Sequence, residues 1–359
     1  MNVIVVVAIA AAITPSLGKA GGHVLKTIFS SNLAANGVAT TPGGRMFLPI
    51  QPEKPGEGPE VVEVRDGRAT PYPDAAWNNW KPNNDGHGVF VGVNALRVGP
   101  DGNLWIVDKG STGVDEPHVP GGQKVVRIDL KTDKVVRTYE LADATTPTTF
   151  IDDIRFNGRY AYLTDAGKPG LIVLDLESGK GRRVLDGHSS TVAHSKLMAE
   201  GRELRDPKNR PTVINADQLE VSPDGRWFYY QPCSGGMSRI ETRYLDDPSL
   251  SDAKIAKHIE HFADTPSTGG TAIAADGTIY LSDIDHLKIL KISPSGDIST
   301  LVSDERLTWV DAMWIDDNGN LLMPAAQLNR RAAFNGGVDK VVKPLNIYLM
   351  AIGAKPVRR

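Results

Sequence analysis

The sequence predicts an all-β protein, a six-bladed β-propeller closed by pairing of its N- and C-terminal strands. Three observations lead to this prediction. One hairpin pattern recurs six times along the 359 residues, 36 Gly and 24 Pro supply frequent turns, and no linker divides the chain as a pair of β-sandwiches would require. Blades arranged in a ring cover one another's apolar faces, so a single domain is expected.

Each repeat starts with Asn, Asp or Thr, continues with alternating apolar residues, turns at a Gly and ends in a second apolar run. Such alternation on both sides of an Asp-Gly, Asn-Gly or Gly-Gly turn predicts two antiparallel strands. The repeats start on average about 55 residues apart, which leaves room for four strands and their loops. The six repeats cover residues 36–48, 94–108, 153–165, 217–230, 271–283 and 311–323.

Further strand candidates complete the blades and close the ring. Residues 124–130 and 134–140 are typical of the outer half of a blade. Residues 24–29 and 346–352 are strand candidates at the two termini, and pairing one terminus into the blade of the other would remove the open sheet edges. Residues 192–201 are interpreted as helical. The irregular inserts cover residues 51–85, 111–122 and 187–211.

The N-terminal residues predict export. Residues 3–13 form a short apolar run, and helix-breaking residues and the small residue Ala20 follow it. Residues 1–20 are therefore interpreted as a signal peptide and residues 21–359 as the mature propeller, secreted or periplasmic. No other stretch approaches the roughly 20 apolar residues of a membrane span, so membrane insertion of the mature chain is not expected.

Composition narrows the choice of partners. The net charge of -3, from 40 Lys+Arg and 43 Asp+Glu, lacks the basic excess that nucleic-acid backbones attract. Cys233 is the single cysteine, so no intramolecular disulfide can form, and a packing role is expected for it. A small-molecule ligand or substrate is the expected partner.

The residue that opens each repeat is expected to face one mouth of the central axis. Asp153, Asp217 and Asp311 would supply hard oxygen ligands for Ca²⁺ or Mg²⁺, and no organic cofactor is expected. Without a cation, repulsion would raise the pKa of at least one carboxyl and make it a proton-transfer group. Alternatively, these residues only cap strand starts. Asp152 and Asn215 lie beside the ring. The predicted ring consists of Asn36, Asn94, Asp153, Asp217, Thr271 and Asp311.

Four stretches resemble the Yellow / major royal jelly protein family. Gly102-Asn-Leu-Trp-Ile-Val-Asp-Lys-Gly110 resembles the family's Leu-Trp-Val-Leu-Asp-Thr-Gly signature, and residues 72–77, 160–175 and 217–245 resemble its other motifs in the same order. The resemblance covers most of residues 36–330. It implies a six-bladed propeller, export, and functions that range from dopachrome-type isomerisation to binding of amines or lipids.

The gluconolactonase and senescence marker protein group is distantly similar in fold and hydrolyses lactones with an axial divalent metal. That group has Glu, Asn and Asp ligands where this sequence has Asn36, Asp217 and Thr271. These three differences make a lactonase function less favoured, without excluding a rearranged metal site.

Two classes of function follow from these observations. The first is an exported tautomerase/isomerase or lactonase-like enzyme for a small polar cyclic molecule, in which a cation or the Asn36 and Asn94 amides polarise a carbonyl and Asp217 or Asp153 moves the proton. The alternative is a non-catalytic binding protein that captures small amines in the acidic mouth.

Overall fold

The computed structural model describes residues 24–113 and 116–358, which form a six-bladed β-propeller. The predicted signal peptide, residues 1–20, lies outside the described residues. None of the helices in the described part of the chain is long and apolar enough to span a membrane.

The first three blades follow one another along the chain. The strands of blade 1 are β2 (Ala34–Ala35), β3 (Ala39–Thr40), β4 (Met46–Gln51), β5 (Val61–Arg65) and β6 (Arg68–Pro71). Those of blade 2 are β7 (Val93–Val98), β8 (Leu104–Lys109), β9 (Gln123–Asp129) and β10 (Lys134–Glu140). Those of blade 3 are β11 (Ile151–Asn157), β12 (Tyr160–Asp165), β13 (Gly170–Asp175) and β14 (Gly181–Val184).

The other three blades complete the ring. The strands of blade 4 are β17 (Ala216–Val221), β18 (Trp227–Pro232), β19 (Met237–Glu241) and β20 (Glu260–Ala263). Those of blade 5 are β21 (Thr268–Ile273), β22 (Ile279–Asp283), β23 (Lys288–Ile292) and β24 (Ile298–Ser303). Those of blade 6 are β25 (Trp314–Ile315), β26 (Asn320–Ala325), β27 (Leu345–Ala351) and, from the N-terminus, β1 (Lys26–Ser31).

Blade 6 closes the ring because β1 pairs antiparallel with β27, from Lys26 opposite Leu349 to Ser31 opposite Leu345. The predicted fold, the six hairpins and the closure by the two termini are confirmed. Pairing of the termini satisfies backbone groups that an open ring would leave at a sheet edge.

Short elements lie in the loops. The helices α1 (Thr242–Asp246) and α2 (Asp252–Ile255) connect β19 to β20. The remaining short segments are the hairpin of β15 (Met198–Ala199) and β16 (Arg202–Glu203) and the 3₁₀ turns Ala142–Ala144, Ala256–His258, Leu328–Arg330 and Ala332–Phe334.

The prediction of a helix over residues 192–201 is wrong, because this segment is not helical. Its backbone amides bond to neighbouring segments instead of to preceding carbonyls: Ala193 N donates to Asn215 Oδ1 at 3.2 Å, and Met198 N donates to Ser267 Oγ at 3.0 Å. Tertiary hydrogen bonds therefore override the local helical pattern.

Apolar faces of adjacent blades form the core. Between blades 2 and 3, Trp105 packs on Phe156 with ring centroids 5.0 Å apart, beside the fully buried Leu163. Between blades 3 and 4, Tyr162 packs in the same way on Phe228. Each large apolar side chain buried in this way contributes about 1.5–3 kcal/mol. The ring is therefore a rigid frame for its axis.

A register shift marks the start of the inner strands of blades 2 to 5. The pairing of first and second strands shifts between Val93 and Ala95 in blade 2 and between Ile151 and Ile154 in blade 3. The same shift occurs from Ala216 to Leu219 and from Thr268 to Thr271. Such bulges redirect side chains, and they decide which polar residues reach the mouth.

Candidate functional site

One end of the axis opens into a cavity of about 1130 Å³. Each blade contributes one residue near the start of its inner strand to the wall of this cavity. Register places Asn94, Asp152, Asp217 and Gly269 at the same bulge position in blades 2 to 5. The mouth ring consists of Asn36, Asn94, Asp152, Asp217, Gly269 and Asp311.

Four of the six residues predicted for the ring, Asn36, Asn94, Asp217 and Asp311, line this cavity. Asp153 and Thr271 do not. The bulge puts Asp152 at the mouth and turns Asp153 toward the next layer of the axis, so the prediction for blade 3 was displaced by one residue. Thr271 lies two residues beyond Gly269, the blade 5 member of the ring.

The layer below the mouth is a network of ion pairs, which we call the ion-pair layer. Asp153 pairs with Arg97 and, at 2.7 Å, with Arg155. Arg155 also bonds both carboxylate oxygens of Glu220, at 2.8 and 2.9 Å, and Thr271 Oγ1 donates to Glu220 at 2.8 Å. Although burial alone would raise the pKa of Asp153, the charges of Arg155 and Arg97 hold it well below its usual range. Asp153 is therefore ionised, and both carboxylates are committed to structure by their ion pairs.

The amides of the mouth ring form a directed hydrogen-bond chain. Gln51 Nε2 donates to Asn36 Oδ1 at 3.1 Å, and Asn36 Nδ2 donates to the backbone oxygen of Asn94 at 2.8 Å. Asn94 Nδ2 then donates to Asp152 Oδ1 at 2.7 Å. The chain orients the Asp152 carboxylate and supplies it with a donor, which favours its ionised form.

The carboxyl groups of Asp152 and Asp217 both line the mouth cavity, where each affects the pKa of the other. Burial and the nearby charge of Asp153 raise the pKa of Asp152 to about 7. Burial, followed by the charge of Asp152, raises the pKa of Asp217 well above its usual value. Asp217 Oδ2 also accepts from Gln218 Nε2 at 2.6 Å. The pair therefore combines one proton donor and one proton acceptor near neutral pH.

Asp311 is a third carboxyl of the mouth ring. Burial and the charge of Asp152 raise its pKa well above the usual value, while Ala312 N donates to Oδ1 at 2.9 Å and Trp309 Nε1 to Oδ2 at 3.3 Å. Trp309 stacks on Phe334 with ring centroids 5.9 Å apart, and both line the cavity. An aromatic wall therefore stands next to the acidic groups.

Gly269 leaves a gap in the ring. A Cβ at this position would lie 2.5 Å from the backbone oxygen of Val310, and one at Gly270 would lie 2.3 Å from that of Asp311. Blades 5 and 6 approach each other too closely here for a side chain. Blade 5 thus contributes only backbone to the mouth.

The aspartates that end the second strands have another role. Asp108 accepts from the amides of Val91 and Gly92 at 2.9 and 3.1 Å, and Asp165 accepts from Phe150 N at 2.8 Å. Each holds the loop that leads into its own inner strand. Asn215, expected beside the ring, lines the cavity but ties Ala193 to its own loop.

Two charged residues of the cavity wall, Lys109 and Glu60, were missed by sequence reasoning. Lys109 is only 4% exposed, and burial lowers its pKa. Glu60 accepts from Val93 N at 2.9 Å, and burial raises its pKa to about 7. A lysine at the end of the apolar run 104–107 was a detectable signal. Nothing local to residue 60 indicated a site, because a long insert carries it there.

The predicted metal ligands Asp153, Asp217 and Asp311 do not converge, because Asp153 faces the ion-pair layer. Across residues 24–113 and 116–358, no group of three or more His, Cys, Asp or Glu side chains is placed to hold a metal ion. The residues as placed therefore do not fit the predicted Ca²⁺ or Mg²⁺ set.

The family model of the major royal jelly proteins matches residues 91–346. No curated protein matches the chain. Among solved structures, a gluconolactonase from Xanthomonas campestris aligns with a TM-score of 0.57 at 13% identity, over 92% of this chain and 90% of that chain.

Two further structures align over nearly their whole length. A putative gluconolactonase gives a TM-score of 0.58 at 10% identity, over 95% of this chain and 96% of that chain. A calcium-binding protein, regucalcin from Agrobacterium tumefaciens, gives 0.52 at 13% identity, over 93% and 99%. At these identities the likeness concerns the fold alone.

Proposed function

The chain belongs to the major royal jelly protein family, and from that premise we propose that it is a tautomerase/isomerase for a small polar cyclic molecule. The observation that carries the proposal is the Asp152–Asp217 pair, two interacting carboxyls with raised pKa values on the wall of a cavity large enough for such a molecule. A base and an acid adjacent to each other near neutral pH are what a proton shift requires.

The proton shift balances within the pair. The ionised carboxylate, Asp152, takes a proton from the carbon beside a carbonyl, and the electrons of the C–H bond become the new C=C bond. The carbonyl oxygen takes the proton of Asp217. The two carboxyls have then exchanged protonation states, and the proton returns from Asp152 to Asp217.

Other groups of the cavity suit a cyclic substrate. Trp309, Phe334 and Phe150 offer flat apolar faces, while Asn94 holds the Asp152 carboxylate in position through its 2.7 Å hydrogen bond. Orientation of the base and stacking of the ring together place the carbon to be deprotonated.

The test is hydrogen–deuterium exchange at substrate carbon, followed by NMR in D₂O. The compounds are small cyclic ketones, dopachrome-type quinones and lactones. Asp217→Asn should reduce turnover by about 10²–10⁴-fold, the usual contribution of general acid–base catalysis. The matched control is Asp246→Asn, because burial raises the pKa of Asp246 to about 6 but that residue bonds Tyr162, away from the mouth.

The outcomes separate the candidate functions. Exchange that is lost in Asp217→Asn and kept in Asp246→Asn supports the tautomerase. Ring opening of a lactone without exchange would instead support hydrolysis, which the same pair could promote by activating water. Saturable binding of small amines, with neither reaction detected, would favour a non-catalytic binding protein over both enzyme functions.

A divalent cation at the mouth is a separate proposal: Asp152, Asp217 and Asp311 line one cavity, and their carboxyls would have to move together from their present positions to hold the ion. Ca²⁺ or Mg²⁺ would first have to displace the protons that Asp152 and Asp217 retain through their raised pKa values. Elemental analysis of protein purified without chelator tests it. Stoichiometric metal that is lost in Asp217→Asn and kept in Asp246→Asn would support a cation, whereas a metal-free, fully active protein would contradict it.

A further inference from the structure

Lys109 ends β8 on the wall of the cavity with 4% of its surface exposed. By strand register, the same position is occupied by Ala166 in blade 3, Cys233 in blade 4 and Ile284 in blade 5. Blades 3 to 5 thus place an apolar or weakly polar side chain where blade 2 places an amine. Packing of the propeller does not require a lysine here.

A second buried lysine shows what a structural amine looks like in this protein. Nζ of Lys124 donates to Asp108 Oδ2 and to three backbone carbonyl oxygens, at 3.0 to 3.1 Å. Within the described residues, Nζ of Lys109 has no hydrogen-bond or ion-pair partner, and it lies 5.5 Å from the centroid of the Phe150 ring. A lysine side chain that is largely buried and whose amine has no such partner is unfavourable for folding, and such departures occur at functional sites.

The surroundings of Lys109 shift its pKa toward the neutral form. Burial lowers its pKa, and the charges of Glu60 and then Asp108 only partly oppose this effect. Neutral lysine in an apolar pocket is a nucleophile. Gly92 lies next to Nζ, because a Cβ at this position would be 3.0 Å from it, and glycine has no side chain to cover the amine. A ligand in the cavity therefore meets an uncovered amine.

We propose that Lys109 forms an imine with an aldehyde or ketone that enters the cavity. Nζ attacks the carbonyl carbon, and a C–N bond forms while the oxygen becomes a hydroxyl. This hydroxyl carries the first Nζ proton. It accepts a second proton from an acid, the C–O bond breaks and water leaves, while the nitrogen lone pair forms the C=N bond and the remaining Nζ proton returns to the acid. Glu60 lines the same cavity and is protonated to a large extent at neutral pH, so it can supply that proton.

This inference goes beyond the proposed function, because the imine forms whether or not Asp152 and Asp217 turn a substrate over. It adds a covalent attachment point and a ligand class, a carbonyl compound, to the same cavity. The two proposals can therefore fail separately, and one variant, Asp217→Asn, distinguishes them.

The test is reductive trapping on the full chain. The protein is incubated at pH 7 with benzaldehyde and sodium cyanoborohydride, which converts an imine to a stable benzylamine, and the labelled lysines are identified by peptide mass spectrometry. Lys109 should be labelled at least about tenfold faster than the exposed Lys134 and Lys180, because only a neutral amine attacks. Lys124 should remain unlabelled.

The peptide map is read on the unaltered protein, so it does not depend on the folding of a variant. Labelling of Lys109 that persists in Asp217→Asn and disappears in Lys109→Arg supports the proposal. Labelling of Lys109 no faster than that of Lys134 and Lys180 would overturn it. The proposal would also be overturned if the total amount of labelling were the same in Lys109→Arg as in the unaltered protein.

Discussion

Asp152 and Asp153 are adjacent in the chain and buried along the same axis, yet they behave in opposite ways. Asp153 lies between Arg97 and Arg155, and its pKa is held well below the usual range. Asp152 meets an amide and another carboxyl, and its pKa is raised to about 7. Burial acts on both, so the difference comes from their neighbours: arginines hold the pKa of Asp153 down, whereas the charge of Asp153 raises that of Asp152.

The comparison extends to the two layers of the axis. In the ion-pair layer, charges are matched and each carboxylate of Asp153 and Glu220 is held by a guanidinium. In the mouth ring, the carboxyls of Asp152, Asp217 and Asp311 have no arginine partner in the described part of the chain. One layer stabilises the ring of blades, and the other is left available for chemistry. Four predictions test this division, in order of decreasing effect.

Loss of Arg155 should have the largest effect on stability. Arg155→Met leaves Asp153 and Glu220 buried with less positive charge, and removal of one partner of a buried pair costs about 3–5 kcal/mol. Urea denaturation at pH 7 measures it. The control is Arg159→Met, because exposed ion pairs such as those of Arg159 contribute little to stability and this variant should unfold almost as the unaltered protein does. Equal losses in the two variants would contradict the distinction between layers.

The neighbouring aspartates should respond differently to the same change. Asp153→Asn removes the counter-charge of Arg97 and Arg155 and should lower the free energy of unfolding by about 3 kcal/mol. Asp152→Asn replaces a carboxyl that is about half protonated at pH 7 with a neutral amide and should change the free energy of unfolding by less than about 1 kcal/mol. Urea denaturation at pH 7 compares them. If Asp152→Asn were the more destabilising, the mouth ring would be a structural element.

Gly269→Ala should be destabilising by about 1–3 kcal/mol, the usual cost of overpacking. Its Cβ would lie 2.5 Å from the backbone oxygen of Val310, which cannot move without displacing blade 6. Thermal denaturation followed by circular dichroism checks it. Gly43→Ala is the control, because its nearest neighbour would be Thr41 Oγ1 at 3.8 Å. If Gly269→Ala left the thermal stability unchanged, the gap in the ring would not depend on the close approach of the blades.

The pH dependence of stability should carry opposite contributions from the two layers. Because the pKa of Asp152 is raised in the native state, the native protein holds a proton that the unfolded chain has released. The stabilisation that Asp152 contributes is therefore full below about pH 4 and is lost as the pH rises through about 7. Asp153 contributes above about pH 4 and loses its contribution as the pH falls.

Asp152→Asn should therefore flatten the decline in the free energy of unfolding between pH 4 and 7, by at most about 1.4 kcal/mol for each pH unit. Urea denaturation as a function of pH measures the slope. An identical slope in the variant and the unaltered protein would show that Asp152 titrates normally.

The sequence predicted the fold because alternation and turn residues act locally. Residues 94–108 and 217–230 contain both strands and their turn, so each hairpin was predictable on its own. The phase of the mouth ring was not, because a bulge adds a residue without changing the alternating pattern on either side. Asp152 rather than Asp153, and Gly269 rather than Thr271, follow from that extra residue.

The sequence by itself thus determined the number of blades, their order and the closure of the ring, all of which depend on local periodicity and on the burial of strand edges. Only the tertiary structure decided the chemistry of the axis. The pKa values of Asp152 and Asp217, the surroundings of the Lys109 amine and the placement of Glu60 depend on distances between blades. Electrostatic interactions act through space, and separation along the chain does not encode them.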